Sequence, residues 1–88
     1  MKPETQAAIE SERDYQQRRW TSHTHTVGEY LLLMEKCLND AKRQWHANGD
    51  QAALAEIRQV ATLGVNAMDE HGVSRRPNII MGASPPPP

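Results

Sequence analysis

The sequence predicts an all-α fold: an antiparallel helical hairpin with an extra N-terminal helix, assembling into a helical bundle as a homo-oligomer. Two long segments that flank Asn48-Gly49-Asp50 repeat apolar residues at helical spacing, which indicates the hairpin. These segments carry more apolar surface than one partner helix could cover. A domain of 88 residues buries only about 60% of its unfolded surface, so a partner, a second copy or another protein, would supply the missing burial.

The first helix is expected from Pro3 to about Trp20. Proline is favoured at the first helical position, and Glu4 and Thr5 follow it in a pattern typical of a helix start. The segment offers only a thin apolar stripe among its charged residues, so we expect it to lie across the hairpin rather than at its centre. Residues 21–25 are short, polar or β-branched and predict a loop.

The second helix is expected from Val27 to about Ala47. Thr26 and Glu29 have the spacing of a capping box, in which each side chain bonds to the other residue's backbone amide. Gly49 tolerates the positive φ at which a helix stops, and Asp50 is expected to cap the third helix. The predicted buried arc contains Val27, Tyr30, Leu31, Met34, Cys37, Leu38, Ala41 and Trp45.

The third helix is expected from about Gln51 to His71, and its apolar arc is wide enough for two packing partners. Three leucines, Leu32, Leu33 and Leu63, lie outside the main arcs and favour a dimer or tetramer over a monomer. Residues 1–72 are therefore predicted to form a single helical domain, with the hairpin at about 26–71 and an extended, flexible Pro-rich tail at 73–88. The arc contains Ala53, Leu54, Ile57, Val60, Ala61, Gly64, Val65, Ala67 and Met68.

Composition narrows the classes of partner. Ten basic and 11 acidic residues give a formal charge of -1, so no global field draws the protein to nucleic acid or to an anionic membrane. The single cysteine, Cys37, excludes an intramolecular disulfide and fits a reducing compartment. No secretory or membrane-spanning segment is visible, and the cytoplasm is the expected location.

The hairpin resembles a known family in two stretches, Gly28 to Lys42 (GEYLLLMEKCLNDAK) and Ala55 to Ala61 (AEIRQVA). The pattern is similar to that of the MazG-like all-α nucleoside triphosphate pyrophosphohydrolases, and the similarity covers about Glu12 to Gly72. That family carries E-E-x-x-E on one helix and E-x-x-D on the next, and small phage-encoded members are common. If this chain is one of them, its partner would be a host protein and its location the host cytoplasm.

The resemblance implies a Mg²⁺ site, because carboxylates three or four residues apart share a helix face and two such faces can hold a hard cation. Glu56 matches the family's glutamate on the second helix, whereas Gln59 occupies the aspartate position and supplies no charge. Leu33, Met34 and Cys37 stand where the first helix carries carboxylates, so the motif is degenerate. The candidate metal ligands are Glu35, Asp40, Glu56 and Gln59.

Two functions fit this pattern. We favour an oligomeric helical protein-binding module on a MazG-like fold, in which Met34 and Cys37 fill the former metal site and no cofactor is required. The alternative is a Mg²⁺-dependent nucleoside triphosphate pyrophosphohydrolase or a nucleotide binder that does not cleave. Spacing also indicates that Glu35 and Asp40 form solvated helix pairs. Candidate partner-binding residues are the cations and indoles Arg13, Arg18, Arg19, Trp20, Trp45, Arg75 and Arg76.

Overall fold

The computed structural model describes residues 1–19 and 24–76, and this part of the chain contains helices and no strand. The helices are α1 (Pro3–Arg19), α2 (Val27–Asn48) and α3 (Asp50–His71). The all-α prediction and the three helix positions are confirmed. Trp20 and the tail from Pro77 onward lie outside the described residues.

The start of α2 forms the predicted capping box. The Glu29 amide donates to Thr26 Oγ1 at 3.1 Å, and the Thr26 amide donates to Glu29 Oε1 at 2.8 Å. Two amides at a helix N-terminus that have no intrahelical acceptor are satisfied in this way. The local sequence therefore sets where α2 begins.

A single glycine links α2 to α3. Gly49 has a φ of +90°, and its amide donates to the Trp45 carbonyl at 3.0 Å. The prediction that Asp50 caps α3 is wrong, because Gly49 holds the cap position and Asp50 is already helical. Its carboxylate instead accepts a 2.9 Å hydrogen bond from Trp45 Nε1 across the turn.

The interior of one subunit is small and partly polar. Leu63 is 1% exposed, although the periodicity placed it outside the main arc of α3. That placement is wrong because α3 is covered on two sides, by α2 and by α1, so that its buried surface is wider than one apolar stripe. The buried residues are Tyr30, Ala41, Ala53 and Leu63, together with the polar Glu12, Gln16, Thr62 and Asn66.

Much of the predicted core lies at the surface of the subunit. Leu31 is 61% exposed. Six other large apolar residues of the predicted arcs also reach the surface, and each is about half exposed. None of these side chains lines the space between α1 and the hairpin or bonds to α1. Helical spacing turns them toward the opposite side of the hairpin. We call this surface the open face: Val27, Leu31, Leu38 and Trp45 of α2, with Leu54, Ile57 and Met68 of α3.

Candidate functional site

The contact between α1 and α3 is a network of polar side chains. Arg13 Nε donates to Asn66 Oδ1 at 2.8 Å, and Asn66 Nδ2 donates to Gln16 Oε1 at 2.8 Å. Arg13 also pairs with Asp69 at 2.6 Å. Since α1 has little apolar surface to contribute, these directional bonds position it on α3.

Glu12 is a buried carboxylate in the same contact, with its side chain only 7% exposed. One oxygen accepts from Arg58 Nε at 3.2 Å, and the other accepts from Gln16 Nε2 at 3.2 Å. A buried charge is tolerated when it is paired and hydrogen-bonded in this way. The apolar periodicity of the first helix did not identify Glu12 as a buried residue, since an acidic residue on a charged helix is normally exposed to solvent. The only available signal was the matching spacing of Glu12 with Gln16 and of Thr62 with Asn66.

A cavity of about 470 Å³ lies where the three helices meet. Its volume falls in the range of small-molecule sites in proteins. Acidic, basic, amide, thiol and apolar groups all contribute to its wall. The lining residues are Glu12, Tyr15, Gln16 and Arg19 of α1, Leu33, Lys36, Cys37 and Asp40 of α2, and Glu56, Gln59 and Leu63 of α3.

The structure brings three of the four candidate metal ligands to this cavity. Asp40, Glu56 and Gln59 line it, whereas Glu35 is exposed elsewhere on α2. Asp40 pairs with Lys36 at 3.1 Å and with Arg43, as its spacing predicted. Within residues 1–19 and 24–76, no group of three or more His, Cys, Asp or Glu side chains is placed to hold a metal ion.

Cys37 lies on the cavity wall and is half-buried. Its thiol donates to Gln59 Oε1 at 3.4 Å. Burial raises the pKa of Cys37, and the nearby Glu56 carboxylate raises it further. The thiol therefore stays protonated at neutral pH and is a weak nucleophile and a weak metal ligand.

A second polar cluster joins the start of α2 to the end of α3. The Tyr30 hydroxyl donates to Glu70, and burial together with this bond raises the pKa of Tyr30 far above its usual value. His71 Nε2 lies 2.7 Å from the His25 carbonyl oxygen. His46 packs on Trp45 near the hairpin turn, at the other end of α2.

The predicted partner-binding residues do not form one patch. Arg13 is held by Asn66 and Asp69, and Arg19 donates to the Tyr15 hydroxyl at 3.3 Å. Trp45 is exposed beside the hairpin turn, whereas residues 75–76 follow α3 at the opposite end of the hairpin. Trp20 lies outside the part of the chain that the structure describes.

No protein-family model matches the sequence, and neither a curated protein nor a solved structure matches it significantly. Among the described residues, no helix is long and apolar enough to cross a membrane.

Proposed function

We propose that this protein is an oligomeric helical protein-binding module whose open face is covered by a second copy. The open face carries the proposal. Its residues lie on two adjacent antiparallel helices, and side chains at this spacing form the buried layer of a four-helix bundle when two hairpins pack together. Large contiguous apolar patches on soluble proteins mark interaction sites.

The free energy available from this surface is substantial. Complete burial of one large apolar side chain contributes about 1.5–3 kcal/mol, and each open-face residue has roughly half of its surface left to bury. The seven residues together would contribute about 5–10 kcal/mol per subunit, an upper range because it counts only apolar area. That amount is large beside the stability of a typical small domain, which is about 5–15 kcal/mol.

Pairing through the open face leaves α1 available to another protein. Arg18 is exposed in the last turn of α1, next to Arg19, where cations are favoured by the helix dipole. We propose that this end of α1 contacts an acidic surface of a cellular protein. Arg13 is not part of that surface, because it is bound to Asn66 and Asp69 and positions α1 instead.

The cavity supports a second candidate, a MazG-like nucleotide site, because it contains Asp40, Glu56 and Gln59 together. The side chains around it favour binding over hydrolysis. Mg²⁺ at a nucleotide site is usually held by one or two carboxylates together with waters and phosphate oxygens, whereas here Asp40 is already paired with two cations and Gln59 is neutral. We therefore propose that the chain does not cleave nucleotides, and that its likeness to the MazG-like enzymes lies in the fold.

Light scattering after size-exclusion chromatography tests the oligomer. The natural protein should elute as a dimer or tetramer at micromolar concentration, and Leu31→Gln with Ile57→Gln should shift it to the monomer. Leu32→Gln is the matched control, since Leu32 is 67% exposed but lies outside the open face. A monomeric natural protein, or equal effects of Leu31→Gln and Leu32→Gln, would refute the proposal.

Pyrophosphate release from a panel of nucleoside triphosphates with Mg²⁺ tests the cavity. We expect no release above background. Release that Glu56→Gln abolishes and Glu35→Gln leaves unchanged would establish the enzyme instead, because of these two glutamates only Glu56 lines the cavity. A thermal shift without release would establish a non-cleaving nucleotide site, since a ligand at 100 times its Kd adds about 2.7 kcal/mol of stability.

A further inference from the structure

The open face has a regular spacing on both of its helices. On α2, Leu31, Leu38 and Trp45 recur every seven residues, and Leu38 is the midpoint. On α3, Leu54 and Met68 lie seven residues on either side of Ala61, which is also exposed. Repeats of seven residues are the pattern by which helices pack as long, nearly aligned pairs.

The two midpoints lie at one level of the hairpin. Between α2 and α3 of one copy, the Cys37 thiol donates to Gln59, and a Cβ built on Gly64 would lie 3.8 Å from the Met34 side chain. Leu38 and Ala61 stand beside these contacts on adjacent helices. A two-fold axis between two copies, running either across the helices at this level or along them, therefore places the open face of one copy onto the same face of the other.

Two arrangements satisfy that symmetry. In the first, α2 packs antiparallel on α2 of the second copy, so that Leu38 meets its own equivalent and Leu31 meets Trp45. In the second, α2 packs on α3 of the second copy, and Leu38 meets Ala61. Both bury the same apolar residues, so apolar contact does not distinguish them.

Charge distinguishes the two arrangements. Glu35 and Lys42 border the open face on the outer edge of α2, seven residues apart and centred beside Leu38. Both are exposed, and neither forms an ion pair or a hydrogen bond among the described residues. In the first arrangement each Glu35 lies opposite Lys42 of the other copy. In the second, they face the edge of α3, where the cation Arg58 is already paired with Glu12 of α1, so Glu35 and Lys42 gain no such partners.

We infer that two copies pair through the open face with α2 antiparallel to α2, around a two-fold axis at Leu38, and with reciprocal ion pairs between Glu35 and Lys42. This inference rests on the proposed self-assembly and specifies its geometry. Each copy contributes both partners of the pair, so the dimer contains the ion pair twice. Two such pairs at the rim select this arrangement over the other one.

Charge reversal tests the ion pairs through the dimer Kd, measured by analytical ultracentrifugation. Glu35→Lys and Lys42→Glu should each weaken the dimer by on the order of 10-fold, since each places like charges together twice. The double variant should return within about threefold of the natural protein, because the pair is restored with its signs exchanged. Asp14→Lys, a charge reversal at an exposed position of α1, should leave the Kd unchanged. Equal weakening in the double variant would overturn the inference.

Cross-linking tests the axis. In a Cys37→Ser background, Leu38→Cys treated with a mild oxidant should give a disulfide-linked dimer, while Leu32→Cys should stay unlinked. If the protein is dimeric but only the combination of Leu38→Cys with Ala61→Cys cross-links, the second arrangement holds and the inference fails. If the natural protein is a monomer by light scattering, the proposed function fails as well, so the two failures are distinguishable.

Discussion

The side-chain amides of Gln16 and Asn66 meet at 2.8 Å between α1 and α3, in a contact that leaves both residues buried. Asn66 also accepts from Arg13, so that one amide joins two residues of α1. Amide and guanidinium bonds require specific distances and angles. The contact therefore selects one position of α1 on the hairpin, which apolar packing alone would define less sharply.

Asn66→Ala should loosen α1 selectively. The substitution leaves the side-chain oxygen of Gln16 without a donor and removes one of the two partners of Arg13, which keeps Asp69. An unsatisfied buried polar group costs about 1–3 kcal/mol. Urea unfolding should show a loss of about 2 kcal/mol. Hydrogen exchange should rise mainly in α1. Gln17→Ala, at an exposed position of α1, should change neither measurement. Equal effects of the two variants would contradict the role of Asn66 in positioning α1.

Gly64→Ala should stabilise the protein. A Cβ at this position would meet only the Met34 methyl group at 3.8 Å, an ordinary contact, so the added methyl group fits. Alanine is favoured over glycine inside a helix by about 1 kcal/mol. For a domain of this size we expect the Tm to rise by about 4–8 °C in a thermal melt.

Gly49→Ala should instead destabilise the protein in the same thermal melt. Gly49 has open space around it but a φ of +90°, which strains any residue with a Cβ. We expect a loss of about 1–2 kcal/mol. If both alanine variants changed stability in the same direction, the distinction between helix propensity and backbone strain would be wrong.

The helix positions could be predicted because their causes are local. The capping box of Thr26 and Glu29 and the glycine at the hairpin turn depend only on nearby residues, and the structure has both. The burial of Leu63 and Glu12 could not be predicted, since it depends on where α1 packs. Periodicity gives the apolar face of one helix, but it does not show that a polar stripe on α1 will meet a polar stripe on α3.

The position of the candidate ligands could be predicted where it depends on the spacing of residues along one helix. Asp40, Glu56 and Gln59 share a cavity because helical spacing turns them toward the same side of the hairpin. Glu35 is displaced from that side because it lies five residues before Asp40, a spacing that does not return to the same helix face. The contribution of α1 to the cavity, through Tyr15 and Arg19, had no sequence signal.

Tyr30 should make stability depend on pH in the alkaline range. Its folded-state pKa is raised by burial and by the bond to Glu70, whereas an unfolded tyrosine ionises near pH 10. The protonated phenol of Tyr30 therefore makes its full contribution to the free energy of unfolding below about pH 10. This contribution is lost as the pH rises from there toward the folded-state pKa. The slope is at most about 1.4 kcal/mol per pH unit.

Urea unfolding between pH 9 and pH 11 measures that slope. Tyr30→Phe should be less stable than the natural protein at neutral pH, because it loses the bond to Glu70, and should lose less stability as the pH rises. Tyr15→Phe is the control, since its hydroxyl is exposed and bonded only to Arg19. Identical alkaline slopes in the natural protein and in Tyr30→Phe would show that Tyr30 does not carry the effect.

Cys37 should react slowly with iodoacetamide at pH 8, because burial and the carboxylate of Glu56 raise its pKa and the thiolate is the reactive form. Glu56→Gln removes that carboxylate, which lowers the pKa of Cys37 and should increase the rate. Glu35→Gln makes the same chemical change outside the cavity and should leave the rate unaltered. Alkylation can be followed by mass spectrometry of the intact protein. A natural protein that reacts as fast as a free peptide thiol would show that Cys37 is not held on the cavity wall.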